Sequence, residues 1–238
     1  MLNKNVFKDI QSLGHKKSRE EAGLFVAEGP KVVSELLSIA PTAVEKIYAI
    51  DEWAVAHGEN SKVEVVSQSD IERLSFLKTP NQVVALVKQF PSKQPESSGI
   101  VLYLDTIQDP GNFGTIVRIA DWFGVTDVVC TEGCADLYNP KVVQATMASI
   151  ARVNVFYDVG QRWIKQQKMK KVAATLNGTP LEEFHPFSPG ILIIGNESRG
   201  IGEELISIAD EQITISKKGA AESLNAAVAT GIILSHLI

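Results

Sequence analysis

The chain has 238 residues, enough for one large domain or two small ones, and its 45% hydrophobic, 21% charged composition supplies ample core material. A net charge of −5 argues against a general nucleic-acid coat, which needs a basic surface, and leaves room for an enzyme with a local basic patch. Met1-Leu-Asn-Lys-Asn-Val-Phe7 holds no apolar signal core, and Ala226–Leu234 is too short and small-residue-rich to span a bilayer, so a cytoplasmic location is expected.

After the charged stretch Lys16–Glu21, Leu24–Ala27 reads as a strand. Glu28-Gly-Pro-Lys31 is a turn, and Pro30 suits the first position of a helix running to Ile39. Strands are expected at Ile47–Ile50, Val63–Val66 and Val83–Val87, with a helix starting at Ser69 between the last two. Polar, proline-punctuated Pro91–Gly99 reads as a linker. It separates a small α/β domain, residues 1–90, from a larger one, residues 100–238. In the larger segment the strand candidates are Ile100–Leu104, Asp127–Cys130, Val153–Phe156, Lys171–Thr175, Ile191–Ile194 and Gln212–Ile215. Helices are expected at Thr115–Phe123, Pro140–Ile150, Gly160–Gln167, Gly202–Ala209 and Ser223–Ile238. Continuous apolar strands alternating with helices indicate a mostly parallel sheet covered on both faces.

Three loops of this segment share one design, an apolar strand that ends in polar, glycine-rich residues: Asn112–Arg118, Gly195–Gly202 and Ser216–Asn225. Strand C-terminal ends border the ligand crevice of an open parallel sheet, so the three are expected to meet there, with Arg118 aimed at an anionic substrate such as a phosphate. Blander roles stay open: Arg118 pairing with Asp121 on its own helix, Glu197 as a solvated loop residue, and glycines 195, 200 and 202 as turn formers. Neither a dinucleotide fingerprint nor a P-loop occurs. Cys130 and Cys134 lack the further ligands that a zinc site needs and read as buried or idle thiols, so no metal is expected.

The spacing Asn112-x-Gly114-x3-Arg118, the loop Gly195-Asn-Glu197-x2-Gly200 and the terminal Glu222-Ser-Leu-Asn225-Ala-Ala-Val-Ala229 resemble the three motifs of SpoU (TrmH-type) RNA 2′-O-ribose methyltransferases of the SPOUT superfamily. The stretch Asn139–Ala145 is similar to the family's intermediate region, and Phe25–Lys31 with the lysines before it resembles its N-terminal RNA-binding domain. The resemblance implies a knotted α/β catalytic domain that binds S-adenosylmethionine in the knot and works as a homodimer. It implies Asn112, Arg118, Glu197, Ser223 and Asn225 as the polar active site, with Gly195, Ile215 and Leu224 holding the cofactor largely through backbone groups. Arg118 then grips the phosphate next to the target ribose, Ser223 or Asn225 orients the hydroxyl, and Lys16, Lys17 and Arg19 contact RNA, rRNA rather than tRNA. Two departures stand out: Ser216-Lys217 where the family commonly has Pro-Met, and Ser149 where it often has glycine. The alternative is an RNA-binding or ribosome-assembly protein of the same fold with a decayed site; a nucleotide-dependent oxidoreductase lacks its fingerprint.

Overall fold

The computed structural model describes residues 2–58, 60–96 and 98–238, so Ser97 of the expected linker lies outside the described residues. Two compact units emerge: residues up to Pro91 together with Asp136–Ala151, and Ser92–Ala135 together with Arg152–Ile238.

In the first unit, helices α1 (Lys4–Ser12) and α2 (Lys16–Ala22) precede strand β1 (Leu24–Glu28). Helix α3 (Pro30–Ile39) follows, with proline in its first turn where no N–H partner is lost. Next come β2 (Val44–Ala49), α4 (Asp51–Ala56), β3 (Val63–Val65), α5 (Gln68–Leu74) and β4 (Val83–Lys88). Ser67, not Ser69, caps α5, forming a reciprocal box with Asp70. The sheet order is β1-β4-β2-β3, antiparallel except for the β2–β3 pair. Phe7, Ile10, Val26, Tyr48, Ile71 and Leu74 fill one face of it.

The second unit runs β5 (Ile100–Leu104), α6 (Pro110–Trp122) and β6 (Asp127–Cys130). The chain then enters an excursion containing α7 (Pro140–Thr146), which belongs to the first unit although its position in the sequence suggests the second. Apolar burial accounts for this: the ring of Tyr138 lies 5.0 Å from that of Phe25, and its hydroxyl donates to Phe90 O at 3.0 Å. Burial pushes the Tyr138 phenol up to about 12. Helix α7 stops at Met147 and Ala148, whose φ angles of 49° and 72° cannot continue it, so the helix expected to Ile150 is shorter.

The chain returns through β7 (Asn154–Tyr157), α8 (Arg162–Gln166), β8 (Lys170–Pro180), β9 (Gly190–Ile194), α9 (Glu203–Ser207), β10 (Glu211–Thr214) and α10 (Ala226–Leu237). The six strands are parallel in the order β10-β8-β9-β5-β6-β7. All of β5 and β9 is buried, as expected of strands covered on both faces. The order reverses at β5 and β9, a topological switch point where the strand ends leave a crevice.

Strand β8 runs five residues beyond the expected Thr175, to Pro180, with a slip in its pairing to β10. Gln212 pairs with Ala173 but Ile213 pairs with Thr179, so residues 174–178 bow out of the ladder. Gly178 permits the re-entry: a Cβ there would lie 2.5 Å from Gln212 C and 2.6 Å from Ile213 N. Only a residue without a side chain fits this crossing of two backbones.

Candidate active site

The first site element is the junction of β5 and α6. Asp109 caps α6, its side chain accepting from Asn112 N at 2.8 Å, and Pro110 occupies the first turn. The helix therefore starts at Pro110, ahead of the expected Thr115. Upstream, the buried carboxylate of Asp105 accepts Gly202 N–H at 2.8 Å and the Thr106 hydroxyl at 2.9 Å, tying the end of β5 to the loop after β9. Thr106 has φ of 56°, an unfavourable left-handed conformation for a β-branched residue. Its carbonyl accepts from Asn196 Nδ2 at 2.9 Å. A strained residue held by bonds to a second loop is the mark of a preorganised site. Asp105 and Asn196 stand out only in three dimensions, since their partners lie far along the chain.

The second element, Gly195–Gly202, is a tight return. Asn196 and Gly200 exchange backbone hydrogen bonds of 3.0 and 2.8 Å, and Asn196 Oδ1 accepts Ser198 N at 2.9 Å. Gly195 is dictated by packing: an added Cβ would fall 2.5 Å from Gly200 O and from Ile201 N. The third element runs from Ser216 to Asn225. Asn225 is the cap of α10, its side-chain oxygen accepting from Ala227 N at 3.0 Å and Val228 N at 3.2 Å. This cap moves the helix start from the expected Ser223 to Ala226.

The three elements converge through side chains. Asn112 Nδ2 donates to Glu197 Oε1 at 2.7 Å, Asn225 Nδ2 donates to the same oxygen at 2.8 Å, and Ala226 N donates to it at 3.0 Å. Asn225 Nδ2 also reaches Asn112 Oδ1 at 2.8 Å. Glu197 thus places its negative charge at the N-terminus of α10, where unpaired N–H groups favour an anion. Charge-assisted bonds among three loops fix their mutual geometry. Asn225 has both oxygen and nitrogen engaged, so of the two residues expected to orient a substrate hydroxyl, it is Ser223 that is free: no hydrogen bond involves it among the described residues.

Arg118 lies on the exposed side of α6 and has no hydrogen-bond or ion-pair partner among the described residues. Its alternative partner Asp121 is bound by Arg152, with Nε and Nη2 at 2.8 and 2.7 Å from Oδ2.

Beside the polar junction is a cavity of about 620 Å³ at the ends of β8, β9 and β10. Gly195, Ile215 and Leu224 line it, as do Glu197 and Ser223, whereas Asn112, Arg118 and Asn225 do not. Leu176, Ile194, Ile206 and Ile213 give it apolar walls, and the rim carries both signs of charge in Glu222, Arg199, Lys217 and Lys218. The wall formed by residues 174–176 has no sequence signal, because the bow in β8 is a product of strand pairing. Ser216, one of the two departures, turns its hydroxyl to Glu182 Oε2 at 2.8 Å. Cys130 is buried, which pushes its thiol well up, and Cys134 accepts Ile107 N–H at 3.2 Å.

In the first unit one expectation fails. Arg19, read as an RNA contact, is 2% exposed. Its guanidinium donates to Leu13 O at 2.8 Å, Gly14 O at 2.9 Å and Asp136 at 3.0 Å, so it knits α2 into the unit and has no face for RNA. Its Nε has no hydrogen-bond partner, the mark of a group enclosed by packing. Lys16 and Lys17 are exposed, in loose pairs of 3.8 and 3.9 Å with Glu20 and Glu21.

Comparison with known proteins agrees with this geometry. The profile of the SpoU rRNA methylase family matches residues 99–235, and that of the MRM3-like substrate binding domain matches residues 3–85. RlmP of Bacillus subtilis, a 23S rRNA guanosine 2′-O-methyltransferase, is 31% identical over 97% of this chain and 94% of its own. A Porphyromonas gingivalis protein assigned to the TrmH family of RNA methyltransferases superposes with a TM-score of 0.86 at 34% identity, covering 100% of this chain and 98% of that one. An AdoMet-bound rRNA methyltransferase from Sinorhizobium meliloti gives 0.84 at 29% identity, covering 100% and 95%. The chain belongs to the SpoU rRNA methylase family.

Proposed function

We propose that this chain transfers a methyl group from S-adenosylmethionine to a ribose 2′-hydroxyl of RNA, ribosomal RNA rather than transfer RNA. The observation that carries this reading is the bonding of Asn112, Glu197 and Asn225, from three separate motifs, beside a cavity of about 620 Å³. The volume lies within the range of small-molecule sites. Its apolar walls suit an adenine ring, and a rim of both signs suits a ligand carrying an ammonium and a carboxylate. Gly195, Ile215 and Leu224 would hold the cofactor, Leu176 closing one side.

The bound cofactor supplies an activated methyl group on sulfonium. The protein's task is to align the acceptor oxygen and help its proton leave. A guanidinium has no lone pair to accept a proton, so the role of Arg118 is to grip the adjoining phosphate and the hydroxyl rather than to act as a base. Ser223, at the cavity wall, orients the hydroxyl. Asn112, Glu197 and Asn225 position these groups by fixing the three loops, because their own polar atoms bond one another.

The first unit would bring the RNA, with Lys16 and Lys17 as contacts, and the enzyme would work in the cytoplasm with its substrate. A homodimer fits the exposed apolar residues of the packed pair α6 and α10: Trp122, which is 85% exposed, on α6, and Val228 and Ile232 on α10. A knot fits the path from edge strand β10 back to α6, which follows central β5. Incubation with methyl-labelled cofactor and total RNA tests the reaction: label at alkali-resistant linkages of rRNA is expected, and label on bases, or none, would overturn it.

A further inference from the structure

Residues 216–224 connect β10 to the Asn225 cap of α10 and form one side of the cavity, with Lys217 through Leu224 exposed. Among the described residues a single hydrogen bond, and no ion pair, holds this stretch: Ser216 Oγ donates to Glu182 Oε2 at 2.8 Å. The other end of that bond is firm. Glu182 sits in a short turn whose neighbours Leu181 and Phe184 are buried. Phe184 meets Phe187 edge-on, Lys170 lies 5.1 and 5.5 Å from the two ring centres, and Phe184 O accepts from His236 Nε2 at 2.8 Å. The carboxylate of Glu182 is also suited to its place. Its own backbone N–H and the Ser216 hydroxyl hold it below the usual carboxylate range, helped by Lys218 and His236.

We infer that Glu182 is a positioning residue for the methyl-donor site: through Ser216 it anchors the 216–224 connection against the cavity. The inference rests on the reading of the cavity as the S-adenosylmethionine site. An irregular connection with one tether loses its order when the tether is cut, and a ligand that needs the ordered form then binds in proportion to the fraction that remains ordered. Glu182 lies outside the three family motifs and does not line the cavity, so it acts through the 216–224 connection, by its bond to Ser216 with Lys218 nearby, and not by touching the ligand.

The test uses the full chain and calorimetric titration with S-adenosylhomocysteine. Glu182→Ala and Ser216→Ala are each expected to weaken binding about 3- to 10-fold, the range of one hydrogen bond. The double variant should be no weaker than either single one, because both remove the same bond. Glu182→Gln keeps an acceptor oxygen and should stay near wild type. Trypsin cleavage after Lys217 and Lys218 should be faster in both alanine variants while their thermal unfolding is unchanged. Single variants within twofold of wild type, effects that multiply in the double, or unaltered cleavage rates would overturn the inference. Wild-type protein that binds no S-adenosylhomocysteine would instead overturn the reading of the cavity, and the cleavage rates would still decide whether the tether exists.

Discussion

Helix α6 and helix α2 each contribute an arginine that the sequence marks as a contact for RNA, and they place it in opposite circumstances. Arg118 stands exposed beside motifs whose other polar residues bond one another, its possible partner Asp121 held by Arg152. Arg19 is enclosed, with two carbonyls and a carboxylate around its guanidinium. A cation with no internal partner is available to a ligand. A cation saturated by its own fold is a fastening. The two residue types are identical, and the difference lies in what surrounds them.

The sharpest way to break this contrast is to truncate both. Arg118→Ala is expected to lower methyl transfer at least about a hundredfold, the scale of one key polar group at a reacting centre, without moving the unfolding midpoint. Near-normal turnover would remove Arg118 from the active site. Arg19→Ala should do the reverse, lowering stability by about 2 kcal/mol in urea unfolding because Asp136 and two carbonyls lose their donor. If it unfolded like wild type, the buried network would be idle.

A smaller effect sharpens the reading of α2. Replacing Lys16 and Lys17 with alanine should reduce the slope of log affinity for RNA against log salt, by about 0.7 for each single-strand phosphate that a lysine no longer neutralises. An unchanged slope would move the RNA surface elsewhere. The smallest effect tests a buried charge that lacks Arg19's kind of partner. Glu28 is enclosed in β1, accepting from Ser75 and from Phe76 N–H, and burial raises its carboxyl above the ordinary 4.5. The native state therefore holds this proton more tightly than the unfolded chain does. Glu28 contributes most to stability below pH 4.5, and that contribution is lost as pH rises through the native value. Glu28→Gln should flatten stability over that interval, and a slope identical to wild type would exclude Glu28 as its source.

Much of the fold is legible in the sequence. The apolar runs of β5 and β9 and the short strands of the first unit fall within a few residues of their expected places, because a buried strand must be apolar and a turn must be polar or glycine-rich. Helices α2 and α4 give no such signal, since short charged segments have no apolar stripe long enough to show a helical period, whereas α1 carries one in Val6, Phe7, Ile10 and Leu13 and is legible although not among the expected helices. Several boundaries are displaced by caps: Asp109 starts α6 early, and Asn225 starts α10 late. Asp109-Pro110 carries the same start signal in the sequence as Pro30, whereas Ser223 and Asn225 both suit a cap and only the hydrogen bond separates them.

Along the chain alone, three loops with asparagine, arginine, glutamate and serine at set spacing, each following an apolar strand, are enough to mark the family. Folding sets which of those residues are engaged with one another. It closes Asn112, Glu197 and Asn225 into one network, leaves Arg118 and Ser223 open, bows residues 174–178 against the cavity, and buries Arg19. The reason is physical. Residue type and spacing follow from local order along the chain, whereas availability depends on which distant groups have already satisfied a polar atom.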